Sequence, residues 1–220
     1  MNIAVRLIAT LTVPLALLMT NVLLMAGGPF VGWEYARPGF PQAVGMTDEK
    51  RLELSLPSAR FIADRADPQS LAALEVGGEP LYTAAEISHL QDVRRLVRRA
   101  SLLAAVGLAV VVLAAVAWRD TPERRAGLIR AIEAGGWLTA MLVVLVGAGI
   151  AVAWPLFFVG FHELFFQPGT WSFASDSGLI KLYPEQFWFD VSVALAAVTA
   201  LEGVVIGLAG RRAGARVAAG

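Results

Sequence analysis

The sequence contains no cysteine, which excludes disulfide bonds, thiolate nucleophiles, thiolate metal ligands and lipidation on cysteine. Charged residues are scarce, at 16% of 220 residues, against about 25% in an average soluble domain. The 18 basic and 18 acidic residues cancel, so charge gives no reason to expect a nucleic-acid partner. Glycine-rich phosphate loops, G-x-S-x-G elbows and internal repeats of the transporter type are also missing.

Apolar residues are what the sequence has in excess: 57% of it is hydrophobic, and the mean hydropathy is +0.63. Four apolar blocks, at about 7–27, 101–118, 137–161 and 191–209, each have roughly the 20 residues needed to cross a hydrocarbon core of about 30 Å. The first block is too long for the core of a cleaved signal peptide. We therefore predict an all-α integral membrane protein, with residues 1–220 forming a single membrane domain of four transmembrane helices.

Lys and Arg in short segments predict the orientation of these helices. Eight of the 18 basic residues lie at Arg6, in the turn 119–130 and in the tail 211–216. Both termini are accordingly expected in the cytoplasm, which leaves about 28–100 and 162–190 outside. Long loops translocate largely regardless of charge, but one cluster next to the second span opposes this orientation: Arg94, Arg95, Arg98 and Arg99.

The long segment before the second span has the pattern of folded helices. Thr47, followed by two acids, predicts a helix start, and Pro57 is expected to end that helix. Asp67 is expected to open a second short helix that Gly77 and Gly78 stop. Thr83-Ala84-Ala85-Glu86 has the spacing of a capping box, and the helix it starts should run unbroken into the second span.

The two histidines of the chain should meet. His89 lies 29 residues before Trp118 and His162 lies 25 residues after Trp137, which corresponds to about 44 Å and about 38 Å of helix. Since a short turn makes spans two and three antiparallel neighbours, the two rings should differ in height by only about 6 Å. We therefore expect both near the outer membrane interface.

Carboxylates accompany the first histidine at helical spacing, because Glu86, His89 and Asp92 share one inclined row. Such a neighbour can fix the tautomer of an imidazole and raise its basicity. Purely structural roles stay open for all three: Glu86 as a helix cap only, Asp92 as the partner of Arg95 or Arg99, and His89 as a structural interfacial residue.

The second histidine is followed by Glu163 at a boundary rich in aromatic residues. Phe165, Phe166, Trp171 and Trp188 fit an interfacial aromatic belt, whereas ionisable groups near membrane depth tend to mark a site. The zinc-protease pattern needs a second histidine three residues after the glutamate, and phenylalanine stands there. A site with two histidines and a glutamate remains open, but no tight ligand spacing supports it, and we expect neither metal nor cofactor.

Glu202 is the one acid in the fourth span. We expect its side chain to reach the cytoplasmic interface. The alternative is a polar cavity or a proton path inside the membrane.

The order of these features resembles the bacterial lipoprotein intramolecular transacylase (Lit) family. The matching pieces are the sequence from His89 to Val93, the sequence from Phe161 to Phe166, Trp171, and the run from Leu179 to Trp188 into the fourth span. This resemblance implies a multi-pass enzyme of the bacterial cytoplasmic membrane, with its site at the outer face. It also implies transfer of the sn-2 acyl chain of a diacylglyceryl lipoprotein to the α-amino group of its N-terminal cysteine, which yields the lyso-form.

Such a reaction needs acid-base help from the protein but no nucleophile, so we expect no covalent acyl-enzyme. We expect His89, oriented by Asp92 or Glu86, to act as general base and then acid, while His162 stabilises the oxyanion or shares the proton relay; the two roles are exchangeable. The diacylated lipoprotein and membrane lipid are the expected partners. The residues expected to line the substrate site are Glu163, Phe165, Phe166 and Trp171.

Two other classes of function remain open on the sequence alone. A non-enzymatic membrane partner or lipid-binding protein would use both histidines for structure, so replacing them would change stability without changing chemistry. A metal-dependent membrane hydrolase would use the same histidines and would be sensitive to chelators.

Overall fold

The computed structural model describes residues 2–43, 45–67 and 69–219, and for 217–219 it describes the backbone alone. Four of its helices are long and apolar enough to cross a membrane: α1 (Ile3–Met25), α5 (Ala84–Ala117), α6 (Pro122–Phe165) and α8 (Glu185–Ala219). The predicted all-α membrane architecture is confirmed. The shorter elements are α2 (Gly28–Tyr35), α3 (Asp48–Ile62), α4 (Gln69–Ala72), β1 (Glu75–Val76), β2 (Glu79–Pro80) and α7 (Gly178–Leu182).

The chain divides into two compact units, between which the long helices are shared. The helical unit comprises the chain up to Asn21, Ala100–Ala148 and the chain from Ala194. The histidine unit comprises Val22–Arg99 and Gly149–Val193. Both histidines, and every other residue that the sequence suggested for the site, belong to the histidine unit.

Small residues bring α6 and α8 close together in the helical unit. A Cβ on Gly203 would lie 2.8 Å from the carbonyl oxygen of Gly136 and 2.9 Å from the amide nitrogen of Ala140. A Cβ on Gly136 would lie 2.6 Å from the amide nitrogen of Gly207. Close backbone approach of this kind is how membrane helices gain packing energy where apolar side chains offer no advantage over lipid.

The acid in the fourth span bonds inside the helical unit. Asn21, only 3% exposed, donates from its side-chain amide to Glu202 Oε2 at 2.7 Å and to Thr199 Oγ1 at 3.0 Å. The expectation that Glu202 reaches towards the cytoplasmic interface is therefore not what the structure shows. A polar group inside an apolar bundle is less costly when it is hydrogen-bonded to a neighbouring helix.

A buried arginine ties α3 to the end of α7 in the histidine unit. Arg51 is 1% exposed, and its guanidinium donates to the carbonyl oxygens of Leu182 (3.2 Å) and Pro41 (2.6 Å). Its guanidinium carbon also lies 4.6 Å from the centroid of the Tyr35 ring. Carbonyl acceptors and an aromatic face together compensate a buried cation for its lost hydration.

Carboxylates of the same unit partly neutralise the arginine cluster at 94–99. Asp64 accepts a hydrogen bond from Arg94 Nε at 2.7 Å and lies 3.9 Å from Arg98 Nε. Asp92 forms an ion pair with Arg95. These pairs screen the arginines locally but leave unchanged the count of Lys and Arg on which the positive-inside rule rests.

The predicted starts of α3 and α4 are confirmed, but the predicted end of α3 is wrong. Thr47 Oγ1 caps α3 by accepting from the Lys50 amide at 3.3 Å, and Asp67 accepts from the Gln69 amide at 2.8 Å before α4. The prediction that Pro57 ends its helix is wrong, because α3 continues to Ile62. Phe61, in that final turn, is fully buried, so tertiary packing outweighs the missing hydrogen bond of proline.

The prediction that Gly77 and Gly78 stop a helix is wrong, because these residues form a hairpin turn. The helix α4 already ends at Ala72, and the two glycines, with φ of +66° and +86°, turn the chain between β1 and β2. Positive φ at both central residues is what a two-residue hairpin turn of type I′ requires. The capping-box start of α5 is confirmed, and that helix runs unbroken to Ala117.

The third long helix is bent before it reaches its histidine. Ala153 has non-helical angles (φ −140°, ψ 48°), two residues before Pro155. Sharp kinks in helices are nearly always caused by proline or a comparable break in the hydrogen-bond ladder. The kink therefore lies nine residues before His162 in the same helix.

Candidate active site

The two histidines lie side by side, as the helix geometry predicts. Their ring centroids are 5.9 Å apart, and the ring planes are inclined by 27°. His89 comes from the second turn of α5 and is 6% exposed, whereas His162 comes from the last turn of α6 and is half-buried. Two residues 73 positions apart, the only histidines of the chain, thus share one site.

The tautomer of His162 is set by its own helix. Its Nδ1 lies 2.7 Å from the carbonyl oxygen of Phe158, one turn earlier. A carbonyl oxygen can only accept, so the ring donates from Nδ1. The neutral ring then carries its lone pair on Nε2, where it is available to take a proton.

The surroundings of His89 keep its ring uncharged. The apolar stretch of α5 begins at Ser101, so His89 lies outside the membrane-spanning part. Burial and, to a smaller extent, the neighbouring His162 lower the pKa of His89 to about 4, against the opposing effect of Asp92. Its Nδ1 is buried and has no hydrogen-bond partner among the described residues. His89 is therefore a neutral imidazole at physiological pH.

Aromatic rings surround the pair. The centroid of Phe166, which is 8% exposed, lies 5.0 Å from that of His89 and 5.5 Å from that of His162. Trp171 lies 4.8 Å from His162. These rings exclude water and lower the local dielectric constant, which strengthens any hydrogen bond that forms at the site.

Both carboxylate oxygens of Glu86 accept hydrogen bonds from other parts of the protein. Its Oε2 accepts from the amide and the hydroxyl of Thr83 at 2.7 and 2.8 Å, and its Oε1 accepts from the Leu179 amide at 2.7 Å. Among the described residues it makes no hydrogen bond to His89. The structure thus favours the role of Glu86 as a cap, and adds a tether to α7 that the sequence did not suggest.

Asp92 and Glu163 do not join the ring cluster directly. Asp92 pairs with Arg95, the alternative that the sequence left open. Glu163 is exposed, and so is Phe165, whose ring packs 5.0 Å from that of Phe161. Of the residues expected to line the substrate, Phe166 and Trp171 contact the histidines.

Two site residues were missed at the level of sequence. Phe158 stacks on His162 with centroids 4.2 Å apart and supplies its carbonyl acceptor. Its position four residues before His162 is a signal that helix periodicity offers. Phe173 lies 5.6 Å from His89, but it belongs to an irregular segment, and no local pattern predicts that contact.

A metal-ligand set is not found in residues 2–43, 45–67 and 69–219, since no three His, Asp or Glu side chains gather there. A cavity of about 360 Å³ lies elsewhere in the histidine unit, where Gly27 and Gly28 face Arg60 and Arg65. Neither histidine lines this cavity.

Glu86 and Asp92 should differ sharply when replaced. We expect Glu86→Ala to lower the free energy of unfolding by about 2–4 kcal/mol, because it leaves the buried Leu179 amide without a partner and removes the cap of α5. Asp92→Ala, which removes an ion pair near the surface, should cost less than about 1 kcal/mol. Denaturant titration in detergent measures both, and equal losses would contradict the structural role of Glu86.

The low pKa of His89 predicts a pH-dependent stability. The unfolded chain binds a proton at this residue near pH 6.5, whereas the folded protein does so only near pH 4. Stability is therefore lost as the pH falls below 6.5, by about 2 kcal/mol between pH 7.5 and pH 5. His89→Gln should lose correspondingly less over that interval in the same titration. Parallel losses in the two proteins would show that His89 is not protected from protonation.

Comparisons with known proteins agree with this architecture. The family model "Lipoprotein intramolecular transacylase Lit" matches residues 7–188. A protein of Aquifex aeolicus (strain VF5), described as uncharacterized, is 29% identical over 192 residues, 80% of this chain and 79% of its own. The structure of the lipoprotein intramolecular transacylase Lit from Bacillus cereus superposes with a TM-score of 0.73 at 15% identity, covering 95% of this chain and 94% of that one.

A second Bacillus cereus structure, with one histidine replaced by arginine, gives the same TM-score of 0.73 at 15% identity and covers 95% of this chain and 90% of that one. At such identity these structures show the fold alone. The family model, in contrast, covers most of the chain, including both histidines. The chain belongs to the lipoprotein intramolecular transacylase (Lit) family and is a membrane acyltransferase that modifies lipoproteins.

Proposed function

We propose that this enzyme moves the sn-2 acyl chain of a diacylglyceryl-cysteine lipoprotein to the α-amino group of that cysteine, using the two histidines as its acid-base machinery. The observation that carries this proposal is the contact between His89 and His162 inside an aromatic, water-poor enclosure. The substrate brings the nucleophile and the ester itself. The site has to supply proton transfer and orientation, and no acyl-enzyme is required.

His162 is the better candidate for the general base. Its Nδ1–H is held by the Phe158 carbonyl, so Nε2 faces the reaction as a lone pair. An α-amino group has a reference pKa of about 7.7–8.0, so a fraction of it is the neutral amine at physiological pH, and this form is the nucleophile. As its nitrogen bonds to the ester carbon it becomes acidic, and Nε2 takes one of its protons and delivers it to the glycerol oxygen as the C–O bond breaks.

His89 fits the complementary role. A ring whose pKa has fallen to about 4 is a weak base, but as a neutral imidazole it is a good hydrogen-bond donor. Its unpartnered Nδ1, when it carries the proton, can donate to the ester carbonyl as negative charge develops there. This exchanges the two roles relative to the first assignment made from the sequence, which had left that exchange open.

Asp92 and Glu86 then affect the reaction indirectly, through His89. The charge of Asp92 acts on the His89 ring, and Glu86 fixes the turn of α5 that carries this ring. Phe166 and Trp171 form the walls against which the glyceryl and acyl groups are held, with Phe165 and Glu163 towards the entrance.

Mass spectrometry of the N-terminal lipopeptide tests this reaction. A reporter lipoprotein is expressed in cells that lack other lipoprotein N-acylation, together with this protein or a variant. The wild type should yield the lyso-form, and His162→Ala and His89→Ala should each lower its rate of formation by about 100-fold or more. Gln91→Ala, at an exposed position of the same helix, serves as the control. Full activity in both histidine variants would sink the mechanism.

We further propose that both termini are cytoplasmic and that the histidine site faces outwards, where the N-terminus of an exported lipoprotein lies. The support is the eight basic residues at Arg6, in 119–130 and in 211–216, because Lys and Arg in short segments stay on the cytoplasmic side.

Single introduced cysteines test the orientation without background, because the natural chain has none. In intact spheroplasts, a membrane-impermeant maleimide should label Ser175→Cys. It should label Asp120→Cys only after permeabilisation, because that residue lies in the opposite connection. Both side chains are exposed. The reverse pattern would invert the topology.

A further inference from the structure

Two nitrogen atoms in the histidine unit are buried and have no hydrogen-bond partner among the described residues: His89 Nδ1 and Trp171 Nε1. Both belong to rings that contact His162. Buried polar groups without partners are rare in folded proteins, and each one calls for a physical reason. Two in one ring cluster indicate that a polar group from outside the chain completes the site.

The indole nitrogen can only donate a hydrogen bond. The nearby Trp154 shows what an indole does when a partner is available, since its Nε1 donates to Glu185 Oε1 at 2.9 Å. A tryptophan in an ordinary interfacial belt likewise finds water or a headgroup. The Trp171 nitrogen is instead enclosed, with its ring 4.8 Å from His162 and 6.4 Å from Phe158.

We propose that Trp171 is a catalytic residue, whose Nε1–H donates to the carbonyl oxygen of the ester that is being transferred. This inference rests on the proposed function and adds a second donor to His89. A group that binds the oxygen more strongly as it becomes an oxyanion lowers the barrier, whereas one that binds ester and intermediate equally does not.

The steps balance without any further reactant. The amine nitrogen of the cysteine bonds to the ester carbon, and the π electron pair moves to the oxygen that Trp171 and His89 hold. When that pair returns, the bond from carbon to the glycerol oxygen breaks, and His162 delivers the amine proton to this oxygen. Trp171 keeps its own proton throughout.

The matched pair Trp171→Phe and Trp154→Phe tests the proposal, since each substitution removes one indole N–H and keeps an aromatic ring. Rates are measured on a diacylated lipopeptide in mixed micelles. Trp171→Phe should lower kcat by about 100-fold and change KM less than threefold, because the donor acts mainly on the intermediate. Trp154→Phe should keep kcat within about threefold of the wild type.

A second variant separates the hydrogen bond from ring size. The tryptophan isostere 3-benzothienylalanine at position 171 keeps the bicyclic shape and replaces N–H by sulfur. It should reproduce the loss of kcat with wild-type thermal stability, because no hydrogen bond within the protein is broken. Its pH–rate profile should keep the wild-type midpoint, since His162 remains as the base.

Near-normal kcat in the isostere would overturn the proposal, as would an effect confined to KM, which would reduce Trp171 to a wall of the site. A wild-type protein that forms no lyso-product would refute the proposed function itself. An active wild type with an active isostere would refute the role of Trp171 alone.

Discussion

The histidine site depends on one buried carboxylate. Glu86 closes the first turn of α5 and also holds the first turn of α7 through the Leu179 amide, 93 positions along the chain. His89 follows three residues later on the same helix. A carboxylate that accepts several charge-assisted hydrogen bonds fixes direction as well as distance. The angle at which His89 faces α6 is therefore set before any substrate arrives.

The polar groups of the histidine unit fall into two kinds. Around α3 they satisfy one another: Tyr35 donates to the Leu182 carbonyl, Ser58 and Tyr82 bond at 2.6 Å, and Tyr183 donates to the Ser55 carbonyl. Around the histidines two nitrogens are left over. A core whose polar groups are hydrogen-bonded can offset the energetic cost of a site whose polar groups are not. Polar groups left without partners in an otherwise hydrogen-bonded unit mark positions where function overrides stability.

Local signals in the sequence were sufficient for the four long helices and for the histidine pair, because helical rise and a short connection fix which residues lie at one height. The capping box of Thr83 and Glu86 was equally local. The continuation of α3 past Pro57, the tether from Glu86 to Leu179 and the contact of Phe173 with His89 depend on packing between distant segments. No window of sequence contains that information, since tertiary contacts override local propensity there.

The anchor of His162 is a main-chain atom. Many enzymes hold a histidine through an aspartate, which a single codon change removes. Here any residue at position 158 supplies the same carbonyl oxygen. The orientation of the His162 ring therefore depends on the helical backbone and not on a particular side chain. A substitution at position 158 changes the aromatic ring that stacks on His162 but not the carbonyl oxygen that accepts from it. The shape of the site can therefore change during evolution while the orientation of the His162 ring is kept.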